Sequence, residues 1–527
     1  MESGVPKIRT KVVIILELLI IIAIASRLLF STTTLIYPDA CTYLSISKSI
    51  LNGKLSTDFL GGGEIILPPL YPLITSAFYL IFQNLELSAL IVSMLSGSLL
   101  IIPVYFLTRA MYGERAGWFS SIFILFSPVM INWSVTMYTE ALFILLFISA
   151  ITMGHYALER GKVGWFFASG GFVGLTYMTR LPGIIVLGIL AGWIIIYSLV
   201  GKFSIRKGIT FIGLLIAGFF IITAPYLIHL YSIFGEWTLT ASYGNITEVV
   251  MEEGADTVSG WEHLDAGQTG KDIFTKLIDK TSTNLRHYAY SLFKMLSSAL
   301  LFIVISIAAS IRRLRLRLDF TVPYLLSFFV VYFLLLLILP PSPLIDERMR
   351  YLSPVLPIFL ILASGGIIHI YNSLAKRDNW RLIKKAAIPA MMVIALLSFI
   401  PQYHMVSSGM YKFWEGEIPI DIRKETGLWM KKNLPHPIRA MSRKPFIAYY
   451  ADAIFFQTPA TYEEVIRMAK ENKIDYIIID NIVEYFLRPK LRFLFNPALA
   501  PKDLKLIGGY THPTTGEIMT GVYRIER

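Results

Sequence analysis

Charged residues are scarce in this sequence. They make up 16% of the 527 residues, whereas a soluble protein contains roughly 25%. Hydrophobic residues account for 55% of the chain. Apolar runs of about 17–24 residues, long enough to cross a bilayer core of about 30 Å, recur between residue 11 and residue 403. The composition excludes a soluble globular protein and indicates a polytopic membrane protein.

Cysteine and nucleotide-binding motifs are also nearly absent. Because Cys41 is the single cysteine, an intramolecular disulfide and a multi-cysteine metal site are excluded. One cysteine does not indicate whether the protein works in an oxidising or a reducing compartment. No GxxxxGK[ST] run occurs, so an ATP-driven pump is unsupported. The net charge of +12 and the pI near 9.4 are typical of a membrane protein with basic cytoplasmic loops, and we expect no nucleic-acid partner.

The apolar runs predict about eleven transmembrane helices. They lie near residues 12–31, 85–107, 116–131, 141–158, 165–177, 183–200, 209–230, 292–311, 322–339, 352–371 and 386–400. The short loops on one side carry the lysines and arginines, and the positive-inside rule makes that side cytoplasmic, together with the N-terminus. An odd number of spans then puts the C-terminus outside. We expect a multi-pass protein of the cell (plasma) membrane.

Two parts of different composition follow from this topology. Residues 1–403 form the membrane part, with long exterior loops at 32–84 and 231–290, and the composition becomes that of a soluble domain after Gln402. Residues 404–527 predict a small extracytoplasmic α/β domain, because 461–471 has the pattern of an amphipathic helix and 474–480 that of a buried strand.

Ionisable residues at the exterior ends of spans are candidates for function, because charge is expensive at membrane depth. Asp39 follows the first span and opens a predicted surface helix; N-capping of that helix is the simpler role and, taken alone, the commoner one. Glu64 and Tyr71 lie in the segment GGGEIILPPLYPL, which is either part of a site or only a rigid turn.

Further candidates lie at the starts of three later exterior segments. Glu140 begins a helix, where the helix dipole alone favours an acid, while Arg180 lies in an exterior turn and calls for an anionic partner. Arg348, Arg350 and Tyr351 belong to PPSPLIDERMRYLSPVLP. Paired arginines hold a phosphate well, although pairing with the neighbouring acids is the alternative.

These residue types suit the transfer of a group from a lipid phosphate. A carboxylate activates an acceptor hydroxyl, and guanidinium groups stabilise the departing phosphate. We expect no metal, since no tight cluster of His, Asp and Glu stands out. His263 and Asp265 in GWEHLD are the nearest exception, and a hydrogen bond between them or a substrate contact is the favoured interpretation.

The ordered set of motifs resembles a known family. An acid after the first span, PPLYP, a Thr-Glu helix start, GLTYMTR and RYLSPVLP occur in the order found in the GT-C glycosyltransferases. The resemblance is to the dolichyl-phosphate-mannose protein mannosyltransferase-like family that includes lipid A aminoarabinose transferase. The tail, with GLWMKKNLP, FIAYYA and IDYIIID, is similar to the extracytoplasmic domain of prokaryotic members. The implied fold is mainly α and of GT-C type, with the small C-terminal α/β domain.

The resemblance also implies a function. It implies a polyprenyl- or dolichyl-phosphate sugar as donor, a protein, lipid or glycan as acceptor, no cofactor, and inverting transfer of a hexosyl or pentosyl group on the extracytoplasmic face. Asp39 corresponds to the family's catalytic base. The residues assigned to substrate binding are Glu140, Arg180, Arg348, Arg350, Tyr351, Glu64, Tyr71 and His263, with Arg350, Arg348 and Arg180 as candidates for the phosphate, in that order.

The sequence departs from the family at two positions. Many members have a second acid where this chain has Ala40, and aminoarabinose transferases have a lysine where it has Leu67. The second departure argues against modification of lipid A. Oligosaccharyltransferases carry a WWDYG-like motif, whereas none of the nine tryptophans here adjoins another. The alternative function is a secondary transporter or lipid flippase, with ionisable groups near the midplane; Glu17 is the residue that fits it.

Overall fold

The structure is a computed structural model. It describes residues 10–31, 38–57, 59, 66–240, 273–317, 319–338, 345–375, 381–407, 421–481, 488–512, 514 and 516–526. The described part of the chain consists of a large helical bundle and a small domain with one sheet.

The helices of the bundle are α1 (Thr10–Phe30), α2 (Pro38–Leu51), α3 (Leu70–Phe82), α4 (Leu85–Leu99), α5 (Ile101–Tyr112), α6 (Glu114–Phe126), α7 (Pro128–Ser134), α8 (Glu140–Arg160), α9 (Val163–Tyr177), α10 (Ile185–Leu199), α11 (Ile205–Phe234), α12 (Ile273–Leu296), α13 (Ala299–Arg317), α14 (Thr321–Ile338), α15 (Ile345–Leu352), α16 (Leu356–Ala375), α17 (Arg381–Leu396) and α18 (Phe399–Ser407). Short 3-10 helices at Leu181–Ile184 and Ser353–Val355 precede α10 and α16.

Eight helical segments of the described chain are long and apolar enough to cross a membrane, or up to ten if each bent helix pair is one span. The eight are Thr10–Phe30, Leu85–Tyr112, Glu140–Arg160, Leu181–Leu199, Ile205–Phe234, Thr321–Ile338, Arg348–Leu374 and Ala386–His404. The protein is therefore a multi-pass membrane protein with a mainly helical fold.

The difference from the eleven predicted helices has identifiable causes. The predicted runs 116–131 and 292–311 fall on helix pairs bent by 60° and 99°. The first pair breaks where Pro128, which follows Ser127 in an extended conformation, begins α7, because a proline disfavours helical backbone in the residue before it. The second breaks near Ser297, whose φ is 38°. The predicted run 165–177 corresponds to α9. Its 15 residues span about 22 Å, which is less than the thickness of a bilayer core.

Helix α9 packs very closely on α11. A Cβ atom on Gly170 would lie 1.9 Å from the carbonyl oxygen of Leu215, and one on Gly218 would lie 2.1 Å from that of Phe167. Only glycine allows backbones to approach so closely, as in other membrane helix pairs with small residues at the interface. This packing fixes the turn after α9, where Arg180 lies.

The C-terminal domain contains the remaining elements. They are α19 (Asp421–Asn433), β1 (Arg439–Ser442), α20 (Phe446–Tyr450), β2 (Ile454–Gln457), α21 (Tyr462–Glu471), β3 (Tyr476–Asp480), β4 (Leu504–Thr511) and β5 (Ile518–Ile525), with 3-10 helices at Pro489–Phe495 and Pro497–Leu499. The sheet order is β2-β1-β3-β5-β4, in which β1 pairs in parallel with β2 and β3 while β5 runs antiparallel to its neighbours.

The predicted amphipathic helix corresponds to α21, whose N-terminus Thr461 and Glu464 cap with a capping box. The predicted strand corresponds to β3, which is buried throughout.

The C-terminal domain packs against the end of the bundle that carries α2. The backbone N–H of Phe455 donates to the carbonyl oxygen of Phe59 at 2.8 Å, and the two rings stack at 6.1 Å. Lys48 of α2 pairs with Asp452 at 2.6 Å. The domain therefore lies beside the helix on which Asp39 is placed.

Candidate active site

Asp39 lies in the first turn of α2, with its carboxylate turned toward the bundle. Oδ2 accepts a hydrogen bond from the Tyr138 hydroxyl at 2.5 Å and one from Arg350 Nη2 at 3.1 Å. Nevertheless, 42% of the Asp39 side chain is exposed. A carboxylate that is held in place yet open to solvent meets the geometric requirement for a general base.

Glu140 lies at the first turn of α8 and is the buried counterpart of Asp39. Its side chain is fully buried, and Oε1 accepts hydrogen bonds from Arg350 Nε, at 2.5 Å, and from Arg180 Nη1. The helix dipole adds to this stabilisation. Glu140 therefore fixes both guanidinium groups and, through Arg350, the position of Asp39.

The cluster joins four segments that are far apart in sequence. Asp39 comes from α2, Glu140 from α8, Arg180 from the turn after α9, and Arg350 from α15. The structure places these predicted residues side by side at one end of the bundle, the end on which the C-terminal domain packs. Arg180 and Arg350 are only 14% and 15% exposed, so the cluster forms the floor of the site.

Aromatic rings surround the cations. The Arg350 guanidinium lies 4.3 Å from the centre of the Tyr138 ring and 5.7 Å from that of Tyr351. Tyr43 packs edge-on against Tyr138, with the ring centres 6.0 Å apart. Rings that exclude water while contributing cation–π attraction strengthen the ion pairs within the cluster.

Opposing effects set the pKa of Asp39. Burial raises the pKa of its carboxyl, whereas the charge of Arg350, the hydrogen bond from Tyr138 and the charge of Lys444 lower it. The lowering effects prevail, and the Asp39 pKa lies below its ordinary value of 3.8. The group is therefore ionised, and able to accept a proton, throughout the neutral and mildly acidic range.

Of the remaining predicted site residues, the structure describes Arg348 and Tyr71 but not Glu64 and His263. Arg348 lies near Tyr288 and Tyr290 of α12, and its role in phosphate binding stays a prediction. Tyr71 is fully buried, and its hydroxyl donates to the carbonyl oxygen of Ala89 at 3.1 Å. Its ring packs edge-on against Tyr43, with the ring centres 5.9 Å apart, so it supports the aromatic side of the cluster, and its role in substrate binding stays a prediction. Glu64 and His263 lie outside the described residues, so their assignment stays a prediction.

Two residues that touch or influence Asp39 were not predicted. Tyr138 stands two positions before Glu140, and an aromatic residue at a membrane surface has too many ordinary roles to be distinguished by sequence. Lys444 belongs to the C-terminal domain, and no local pattern connects it with α2. Among the described residues, no group of three or more His, Cys, Asp or Glu side chains is placed to hold a metal ion. The expectation of metal-free chemistry stays a prediction.

Comparisons with known proteins agree with this architecture. The family described as dolichyl-phosphate-mannose-protein mannosyltransferase matches residues 67–229, a segment that includes Glu140 and Arg180. No curated protein matches the chain. Among solved structures, it is similar to the oligosaccharyltransferase AglB from Archaeoglobus fulgidus, with a TM-score of 0.63 and 14% identity over 90% of this chain and 70% of that one.

A second solved structure matches along nearly the whole length of both chains. ArnT from Cupriavidus metallidurans, solved with bound undecaprenyl phosphate, has a TM-score of 0.59 and 13% identity over 98% of this chain and 98% of that one. At such identities the similarity concerns the fold alone.

Proposed function

We propose that the chain is an inverting glycosyltransferase of the GT-C superfamily, because the mannosyltransferase family model matches residues 67–229 and the fold is similar to those of AglB and ArnT. The donor is a sugar linked to polyprenyl or dolichyl phosphate, and the acceptor is a hydroxyl group on a protein, lipid or glycan. The matched structures hold dolichol-phosphate in one case and undecaprenyl phosphate in the other, which supports this donor class.

The observation that carries the proposal is the arrangement of Asp39 with Arg350 and Arg180 around Glu140. In the reaction, the acceptor oxygen attacks the anomeric carbon while its proton passes to the Asp39 carboxylate. The bond between that carbon and the phosphate oxygen breaks, and its electron pair leaves with the phosphate. Attack opposite the leaving group inverts the anomeric configuration.

Arg350 and Arg180 are suited to stabilise the departing phosphate. Each guanidinium has more N–H groups than the contacts with Glu140 and Asp39 occupy, and those contacts hold both groups rigid before substrate arrives. Such preorganised donors act most strongly where charge grows in the transition state. This stabilisation does not call for a metal, and we expect transfer to persist after chelation.

We place the reaction on the extracytoplasmic face. The loops at the end of the bundle opposite Asp39 carry the basic residues, which the positive-inside rule assigns to the cytoplasm. The site and the C-terminal domain then both lie outside, where the lipid tail of the donor reaches Asp39 along the helices.

The test is transfer from labelled polyprenyl-phosphate sugars by the purified protein in lipid nanodiscs. Wild-type protein should release polyprenyl phosphate when an acceptor is added, and Asp39→Asn should lower the rate by about 10²–10⁴-fold, the usual contribution of a general base. Glu17→Gln is the matched control, because Glu17 is a carboxylate exposed on α1, and it should transfer like wild type.

Two outcomes would overturn the proposal. Unchanged transfer by Asp39→Asn would remove Asp39 as the base. Uptake of an intact solute into sealed vesicles without any release of sugar would instead identify a transporter, the alternative that the position of Glu17 suggested.

A further inference from the structure

The two bends in the helical bundle meet at one side chain. The pair α6 and α7 is bent by 60° at Ser127, and the pair α12 and α13 is bent by 99° near Ser297. Gln402 of α18 contacts both bends and is fully buried. The Ser127 hydroxyl donates to Gln402 Oε1 at 2.8 Å, and Gln402 Nε2 donates to the carbonyl oxygen of Met295 at 2.8 Å. One amide group therefore joins the two bends.

Both hydrogen bonds use polar groups that stand at the end of a helix. Met295 lies in the last turn of α12, where carbonyl groups have no partner within their own helix. Ser127 occupies the N-cap position of α7, where a serine hydroxyl commonly caps the helix, yet its side chain makes no cap bond there and donates to Gln402 instead. Because an unsatisfied polar group is costly in the membrane part of a protein, these groups stabilise one another.

The bend at Ser127 leads directly to the cluster around Glu140. Helix α7 runs from Pro128 to Ser134, and the chain continues through Tyr138 to Glu140 at the start of α8. Tyr138 is also held from α4, because the Ser93 hydroxyl donates to its carbonyl oxygen at 3.2 Å. The direction in which α7 leaves the bend therefore sets the positions of Tyr138 and Glu140.

The bend near Ser297 lies beside the helix that carries Arg350. Helix α12 packs against α15, the helix of Arg350, and α18 contacts α7, α12 and α15. At the site, the ion pair between Arg350 and Glu140 joins α15 to α8. Within the bundle, the Gln402 amide joins the neighbouring helices α12 and α7. The segments that meet in the active site are thus connected a second time at Gln402.

We propose that Gln402 is a positioning residue of the active site: its amide fixes the two bends relative to each other and thereby holds Tyr138 and Glu140 in place against Arg350. Gln402 does not contact the reacting atoms and acts through these three residues. Its loss should therefore lower the rate of the chemical step more than the affinity for the donor. This inference rests on the proposed function and adds a residue outside the cluster on which the reaction depends.

The test compares kcat and KM for a labelled polyprenyl-phosphate sugar in wild type, Gln402→Leu and Ser127→Ala. Leucine has a volume near that of glutamine and makes neither hydrogen bond. In Gln402→Leu, kcat should fall about tenfold to a hundredfold, the range expected when reacting groups shift by up to about 1 Å, while KM should change by less than about threefold. Ser127→Ala breaks only the bond to α7 and should lose less.

The pH profile separates positioning from a loss of stability. Arg350, Tyr138 and Lys444 lower the pKa of Asp39, and a displacement of Tyr138 or Arg350 weakens this effect. The acid limb of the rate should therefore move to higher pH in Gln402→Leu. Adding Tyr138→Phe to Gln402→Leu should move it less than Tyr138→Phe does in wild type, because changes at coupled residues are not additive. A variant that is only less stable should keep the wild-type acid limb.

Two control variants remove contacts that do not join the bends. Ser298→Ala breaks the hydrogen bond from the Ser298 hydroxyl to the carbonyl oxygen of Ile394 at 2.7 Å, which lies at the bend between α12 and α13 but does not reach α7. Phe211→Leu removes a ring that stacks on Phe166 at 4.0 Å, toward the end of the bundle opposite Asp39, and so lowers stability away from the site. Both variants should keep the wild-type kcat and acid limb.

Hydrogen exchange of backbone amides provides a measurement that does not depend on transfer. In Gln402→Leu, the amides of residues 128–140 should exchange faster than in wild type, because this segment has lost one of its attachments. The amides of the sheet in the C-terminal domain should exchange as in wild type. If Gln402→Leu does not fold, Gln402→Met takes its place in each measurement, because methionine is flexible and lacks the amide.

Several results would overturn the inference. They are a wild-type kcat in a folded Gln402→Leu protein, a loss in Gln402→Leu that Ser127→Ala does not share at all, and an equal loss of transfer in Phe211→Leu. If wild-type protein transfers no sugar from any donor, the proposed function fails. Exchange at residues 128–140 then still decides whether Gln402 fixes this segment.

Discussion

Helix α8 carries a carboxylate near each end, and the two ends have different environments. Glu140 is fully buried and binds two guanidinium groups. Glu159 is exposed and accepts a hydrogen bond from the Tyr197 hydroxyl at 3.0 Å. The same residue type thus organises a rigid charged cluster at one end and takes part in an ordinary surface contact at the other.

The cations follow the same division. At the end opposite the site they lie over aromatic rings: Arg160 is 4.7 Å from the centre of the Trp165 ring, and Lys202 is 4.3 Å from that of Tyr197. Cations and amphipathic rings of this kind are typical of a membrane interface. Cations that lie over aromatic rings therefore mark the end of the bundle that carries Arg160 and Lys202, which we call the anchoring end. Buried ion pairs mark the end that carries the site.

Among the variants that test the difference between the two ends of the bundle, Glu140→Gln should lose the most stability and transfer activity. The change leaves Arg180 and Arg350 without the carboxylate that holds both, and breaking a buried ion pair lowers stability by about 3–5 kcal/mol. We also expect transfer to fall by about 10²-fold, because the groups around the substrate lose their fixed positions. The free energy of unfolding in mixed micelles and the rate of transfer check both parts.

Glu159→Gln provides the control on the same helix. Because Glu159 is exposed, its change should alter stability by less than about 1 kcal/mol and leave transfer intact. Equal losses for the two variants would show that the ends of α8 do not differ in the way described.

A smaller effect should follow from Tyr138→Phe, which removes one hydrogen bond to Asp39. Since that bond lowers the pKa of the carboxyl, its loss raises the pKa. Asp39 acts as a base only when ionised, so activity is present above its pKa and is lost as the pH falls through it. The acid limb of the rate should therefore move to higher pH in the variant, with a modest loss at neutral pH.

Tyr43→Phe is the matched control for this pH profile. Tyr43 packs edge-on against Tyr138 at 6.0 Å and is not among the groups that donate a hydrogen bond to Asp39. Its profile should stay close to that of wild type. A shift of the same size in both variants would mean that general packing, and not the Tyr138 hydrogen bond, sets the acid limb.

The sequence predicted the membrane-spanning segments better than the bends within them. Apolar runs of sufficient length identify spans because the bilayer core has a fixed thickness, and eight predicted runs correspond to single long segments. The break near Ser297 depends on one backbone dihedral angle, and the short α9 depends on glycines that pack against α11. Neither changes the hydropathy from which spans are predicted.

The sequence predicted the individual residues of the candidate site better than the contacts between them. The sequence predicted four residues of the site because an ionisable group at membrane depth is costly and is therefore a candidate for function. These residues are Asp39, Glu140, Arg180 and Arg350. Their pairing was not predictable, because Glu140 binds partners on two other segments and only packing brings these together. Lys444 lay beyond prediction for the same reason: its proximity to α2 arises from the docking of a separate domain.

The smallest effect should come from the anchoring end, where Arg160→Gln removes a cation from the faces of Tyr156 and Trp165. Such a contact contributes about 0.5–1 kcal/mol at an exposed position, so the variant should unfold slightly more readily while its transfer rate stays at the wild-type value. Arg206→Gln removes an exposed charge near the same end and should change neither quantity. A clear loss of transfer in Arg160→Gln would couple the two ends through α8, and the anchoring end would then take part in the chemistry.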